Sequence, residues 1–242
     1  MTDGFASRYA RTLSATMVAG LVAGFVAAGI GSRLTMRILA VTTHPLPAGF
    51  RTEAEAQVGK ITTGGTVFLL LIGAVLGAGG ALLYLALRRW LPGSGWSRGI
   101  VFGLLLVALL GRKVVDPGNK DFQFLTPKPL ALALFSSLFI AFGLLVVPLV
   151  ERFDRGFPLP SWQHWAWAAY LPLVLVALPP IGIVFLVLAL FGLAVHRLQR
   201  FETLSRLWRG RSVDVAGRAI VGVGTLAGLA FFGQGIADIV TS

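Results

Sequence analysis

The chain has 242 residues, of which 56% are hydrophobic and 13% charged, with a mean hydropathy of +0.81. Soluble domains carry about a quarter of charged residues, so this composition excludes an ordinary soluble fold and points to lipid as the solvent. The formal net charge of +11 resides between long apolar runs, where it reads as a topology signal and argues against a nucleic-acid partner.

Zero cysteines exclude disulfides, thiolate metal sites and cysteine nucleophiles. Seventeen Arg against four Lys matches a GC-rich coding bias, which favours a bacterial inner membrane as the location.

At the N-terminus, Arg8 and Arg11 precede the apolar stretch Leu13 to Ile30. Signal-peptide apolar regions run about 7–15 residues and end in a small-residue cleavage site, so this longer stretch reads as the first membrane span. A crossing helix needs about 20 mostly apolar residues. On that criterion the first four spans fall at 12–40, 62–87, 99–115 and 129–150. The next apolar region, 162–197, is too long for one ordinary span and carries Pro179, Pro180 and Gly182 near its middle. Either one helix is broken there, or spans 162–178 and 181–197 form a hairpin. A last span covers 215–240.

The positive-inside rule arbitrates between six and seven spans. Seven spans with a cytoplasmic N-terminus put thirteen basic residues inside, from Arg8 to Arg218, and six in the outer loops, with Arg33 and Arg37 near the outer end of span one. Six spans would push the basic segment after residue 196 outside. Tryptophan prefers the membrane–water interface, and Trp90, Trp96, Trp162, Trp165, Trp167 and Trp208 all fall on the inner side of the seven-span arrangement. The expected fold is therefore a single all-α integral membrane domain of about seven transmembrane helices, N-terminus cytoplasmic and C-terminus external.

Glycines four apart, at Gly20 and Gly24, Gly73 and Gly77, Gly99 and Gly103, and Gly224 and Gly228, let helix backbones approach closely. They predict a tight bundle of spans one, two, three and seven, with span four and the hairpin facing lipid. The segment 196–212 spaces Leu198, Phe201, Leu204 and Trp208 three and four apart between arginines. It reads as a basic amphipathic helix at the inner interface, with anionic lipids as its partners.

Chemistry is expected at the outer end. In span three the apolar stretch Ile100 to Leu110 is followed closely by Arg112 and Lys113, and eleven residues cover only about half of a hydrocarbon core. The same level should hold Arg33 and Arg37, one face of span one, and Gln234 and Asp238 of span seven. The outer loop adds Asp116 and Asp121. These residues predict an outward-facing basic cavity for a small anion or lipid headgroup. The rival readings are an accessory subunit of a larger membrane complex or a homo-oligomer, and a lipid-modifying enzyme using Asp116, Asp121 or Asp238 as base. No metal or cofactor is expected: His164 and His196 lack a third ligand, and nucleophile triads and phosphate-binding loops are missing.

Overall fold

A computed structural model of the chain describes residues 3–43, 63–114, 127–156, 166–177, 181–198 and 211–241, and among these there is no strand. Helix α1 (Asp3–Gly24) passes through a π-helical turn (Phe25–Ile30) into α2 (Gly31–Thr42) without leaving the helical path. The turn is marked by the Gly31 N–H, which reaches the carbonyl of Val26 five residues back. Then follow α3 (Thr63–Leu87), α4 (Gly95–Val114), α5 (Lys128–Gly156), a 3-10 helix (Ala166–Ala177), α6 (Ile181–Leu198) and α7 (Arg211–Thr241).

Among the described residues, five helical stretches are long and apolar enough to cross a membrane: Ser7–Thr42, Thr63–Leu87, Gly95–Lys113, Lys128–Gly156 and Ser212–Ala237. The chain is a multi-pass membrane protein, helical throughout its described spans.

The region expected as the hairpin differs in winding from the other five. Its first half is 3-10 helical and contains Pro172, which has no N–H to offer an α-helical ladder. At about 2.0 Å per residue, these twelve residues still cover about 24 Å. The 3-10 helix and α6 lie side by side and pack on α1 and α3 respectively, the folded-back alternative. Tyr9 donates a hydrogen bond to the carbonyl of Ala189, and the buried Ser14 donates to that of Ala169.

Two glycine-lined helix pairs make the core. In the first, a Cβ on Gly20 would lie 2.5 Å from the carbonyl oxygen of Gly77, and one on Gly73 would lie 2.7 Å from the amide nitrogen of Gly29. Only glycine permits this backbone contact between α1 and α3, and without a hydrophobic drive in lipid such packing supplies the association. In the second pair, a Cβ on Gly103 of α4 would lie 2.6 Å from the Cα of Ile140, and one on Gly99 would lie 2.9 Å from the carbonyl oxygen of Gly143. Tyr84, Phe102, Phe142 and Val146 fill the space between the pairs, with the rings of Tyr84 and Phe102 edge to face at 5.3 Å.

The tight bundle is therefore built from spans one to four, which corrects the expectation for spans four and seven. Span four (α5) is central because its single Gly143, invisible as a pair, seats against both Gly99 and Gly103 while Phe142 and Val146 fill the core. Span seven (α7) is peripheral: Ile220, Val223 and Leu226 are exposed, Gly224 faces open space, and only Gly228 of that pair meets a neighbour, at Ala108. A glycine pair makes a groove but does not specify what fills it.

Helix ends also extend past the apolar runs. Helix α4 begins at Gly95, four residues before the expected start, because Gly93 and Gly95 take positive φ (87° and 49°) in the turn and Ser97 bonds the backbone of Ser94. Helix α5 continues six residues past the expected end because Glu151 and Asp154 find partners there.

Candidate functional site

Charged side chains gather at both ends of the bundle. At one, called here the charged end, three carboxylates hold five helices together. Asp154 of α5 pairs with Arg88 at 3.4 Å and accepts from Thr12 of α1 at 3.1 Å, while its carbonyl accepts from Arg11 at 3.0 Å. Glu151 pairs with Arg98 of α4 at 3.1 Å and accepts from Tyr84 of α3 at 3.4 Å. Asp214 of α7 pairs with Arg89 at 2.7 Å. Arg98 also donates twice to the carbonyl of Gly93, at 3.1 and 2.8 Å, closing the α3–α4 turn.

None of these acids was singled out from sequence. The readable signal was Glu151 and Asp154, three apart on one helix face just past an apolar run, with Arg88, Arg89 and Arg98 in the connection facing them.

Trp90 belongs to the same end, only 9% exposed, and its ring lies against Gly217 of α7. Trp96 is exposed. Trp167 lies in the 3-10 helix with its side chain outside the described residues, as Trp162, Trp165 and Trp208 are entirely. So are residues 199–210 of the expected amphipathic segment, His164, and the side chain of His196.

At the far end, α2, α4, α5 and α7 meet in an apolar cluster of Leu39, Val107, Ala131, Leu132 and Phe232. Around it stand the basic residues singled out from sequence. Arg33 is half-buried, and its Nε and Nη2 are buried with no hydrogen-bond partner; Arg37, one turn on, is exposed. Arg112 and Lys113 are exposed at the end of α4, and the Arg112 guanidinium lies over the Phe231 ring at 5.7 Å. Gln234 is exposed on α7, and Asp238 lies on the same helix with its side chain outside the described residues, where Asp116 and Asp121 also fall.

The depth of the two arginine groups follows from the helical rise. Arg33 lies 21 positions beyond Thr12, about 32 Å, and Arg112 lies 14 positions beyond Arg98, about 21 Å. The partners Asp154 and Glu151 are three positions apart on α5, which takes about 4.5 Å off that difference. Arg33 and Arg112 thus differ in depth by about 6 Å, roughly one turn.

Between these ends runs a cavity of about 1270 Å³, bounded by the π-helical turn, α2, α3, α4, α5 and α6. Ser32 and Met36 of α2 line it, and Arg33 lies to one side of that face, about 100° round the helix from Ser32 and 60° from Met36. Sequence gave no sign of it, because its walls come from helices distant in the chain.

Comparison with known proteins finds no matching family model, no matching curated protein and no matching solved structure.

Proposed function

We propose that this protein binds a negatively charged group, of a small anion or a lipid, at the far end of its bundle, with Arg33 as the principal contact and Arg37 beside it. The observation that carries this is the pair of buried Arg33 nitrogens without acceptors. Buried donors left unmet on a charged group cost about 1–3 kcal/mol or more, and an anion removes that cost through charge-assisted hydrogen bonds. Arg112, Lys113 and Gln234 add a rim that draws anions, and Asp116, Asp121 and Asp238 would tune it. No catalytic step is assigned.

This reading sets the protein in a bacterial inner membrane with seven spans, the 3-10 helix and α6 completing the five longer ones. The charged end is then cytoplasmic, with anionic lipids as its partners, and the far end faces outward. A reporter fused after Ser242 is expected on the external side; activity of a cytoplasmic reporter there would refute seven spans.

The binding test is the Arg33→Gln variant, measured with phosphatidylglycerol and with glycerol phosphate by native mass spectrometry. Affinity is expected to fall about tenfold or more, the size of one charge-assisted hydrogen bond. Unchanged affinity for both would overturn the reading, and loss of a stoichiometric protein partner instead would mark an accessory subunit.

A further inference from the structure

The cavity identifies which kind of anion. It extends along α3 from Gly64 to Leu83, about 28 Å at the helical rise, close to the thickness of a hydrocarbon core. Its walls are apolar, formed by residues such as Phe68, Leu76, Leu106, Leu138 and Phe142. Among the described residues that line it, the one polar side chain, Ser32, already donates its hydroxyl to the carbonyl of Gly29 at 2.9 Å. A hydrated anion or a travelling headgroup would lose its hydrogen bonds along such a wall and recover none. A hydrocarbon chain loses nothing there.

We propose that the ligand is a long-chain anionic lipid whose acyl chain lies in the groove between α3 and α5 and whose headgroup meets Arg33 and Arg37. This rests on the reading that Arg33 holds a negative group. Charge complementarity selects the occupant. A chain leaving bulk lipid for a protein groove gains no hydrophobic free energy, so what it adds to the headgroup's affinity is close packing against the groove walls, which a narrowed groove removes. The polar end of such a lipid belongs at the end where Ser32 and Met36 bring the cavity next to Arg33, and its chain points towards Leu83. Glycines shape this side of α3: Gly64 leaves open space at the cavity mouth, whereas Gly79 and Gly80 let the rings of Phe185 and Phe142 pack directly onto the helix.

Gly64 supplies the test. Nothing lies within 4 Å of a Cβ built there, so Gly64→Trp starts its side chain in open space at the cavity mouth. Leu76→Trp, at an exposed lining position about 18 Å further along α3, narrows the groove away from the arginines. Full-length protein is extracted and its binding of phosphatidylglycerol, phosphatidylcholine and chain-free glycerol phosphate compared by native mass spectrometry. Both tryptophan variants should lose phosphatidylglycerol at least tenfold while keeping the wild-type melting temperature and glycerol phosphate affinity. If glycerol phosphate binds the wild type as tightly as phosphatidylglycerol, or if both tryptophan variants retain phosphatidylglycerol while Arg33→Gln loses it, the chain has no place in the groove and only the headgroup reading stands. If the tryptophan variants lose the lipid but Arg33→Gln does not, or phosphatidylcholine binds equally well, the groove holds a chain without selecting charge, and the anionic assignment falls.

Discussion

Gly77→Leu will prevent the chain from reaching its folded state. A Cβ at that position would overlap the carbonyl oxygen of Gly20 and lie 2.5 Å from the Cα of Gly24 and 2.8 Å from its amide nitrogen. These are backbone atoms of a continuous helix, so no rotamer change can make room. Helix α1 would have to move off α3 as a body, taking with it the buried Ala19, Ala23 and Ala27 of the core. Overpacking in a closely packed interior costs about 1–3 kcal/mol even where side chains can yield, and here backbone must. Where helices associate in lipid through close packing alone, little remains to hold α1 in place. Size-exclusion chromatography of the extracted protein should show aggregate or no monodisperse peak. Gly64→Leu makes the same chemical change in open space and should elute and melt as wild type. A Gly77→Leu protein indistinguishable from that control would refute the α1–α3 contact.

The second large effect is expected at Asp154. This carboxylate joins α1 through Thr12 and the turn at the end of α3 through Arg88. Asp154→Ala would leave a hydroxyl and a guanidinium without their acceptor, at a cost of about 1–3 kcal/mol for the hydrogen-bonded part. The ion pair itself contributes less, because the Arg88 and Asp154 side chains are 40% and 30% exposed and water screens them. Asp154→Asn keeps an acceptor for Thr12 and should lose less. Thermal melting in detergent should rank wild type above Asn above Ala. The gap between wild type and Asn should close as salt is raised, since salt acts on the charge alone. A gap insensitive to salt would reassign Asp154 to packing.

How much of this was readable in the sequence depends on whether a feature is local. The helices from 63 to 87 and 181 to 198 match the expected spans to within about a residue, because an apolar run bounded by glycine, proline or arginine is a local signal. Partner choice is not local. Gly143 seats against both Gly99 and Gly103 yet has no companion at four-residue spacing, whereas Gly224 and Gly228 are such a pair and only Gly228 meets a neighbour. The basic residues of the far end were legible as charges interrupting apolar runs, and Arg33 stood among them. That its nitrogens are buried without partners depends on how α2 packs, which no spacing within its own segment records. The carboxylates at the charged end carry no such signal, because read singly each is only a loop charge beside an arginine.

The π-helical turn at Phe25–Ile30 sets a rotational phase. Each π hydrogen bond spans five residues where an α bond spans four, so such a turn amounts to one residue inserted into the ladder. One residue is about 100° about the helix axis. The glycine face of α1, which meets α3 at Gly20 and Gly24, and the Ser32–Met36 face of α2, which borders the cavity, are thereby set against each other at an angle an uninterrupted helix would not give. Shortening the turn by one residue would leave every side chain of α2 intact and swing them all to new bearings. The azimuth of Arg33 is thus encoded upstream, by how the backbone between Phe25 and Ile30 is wound.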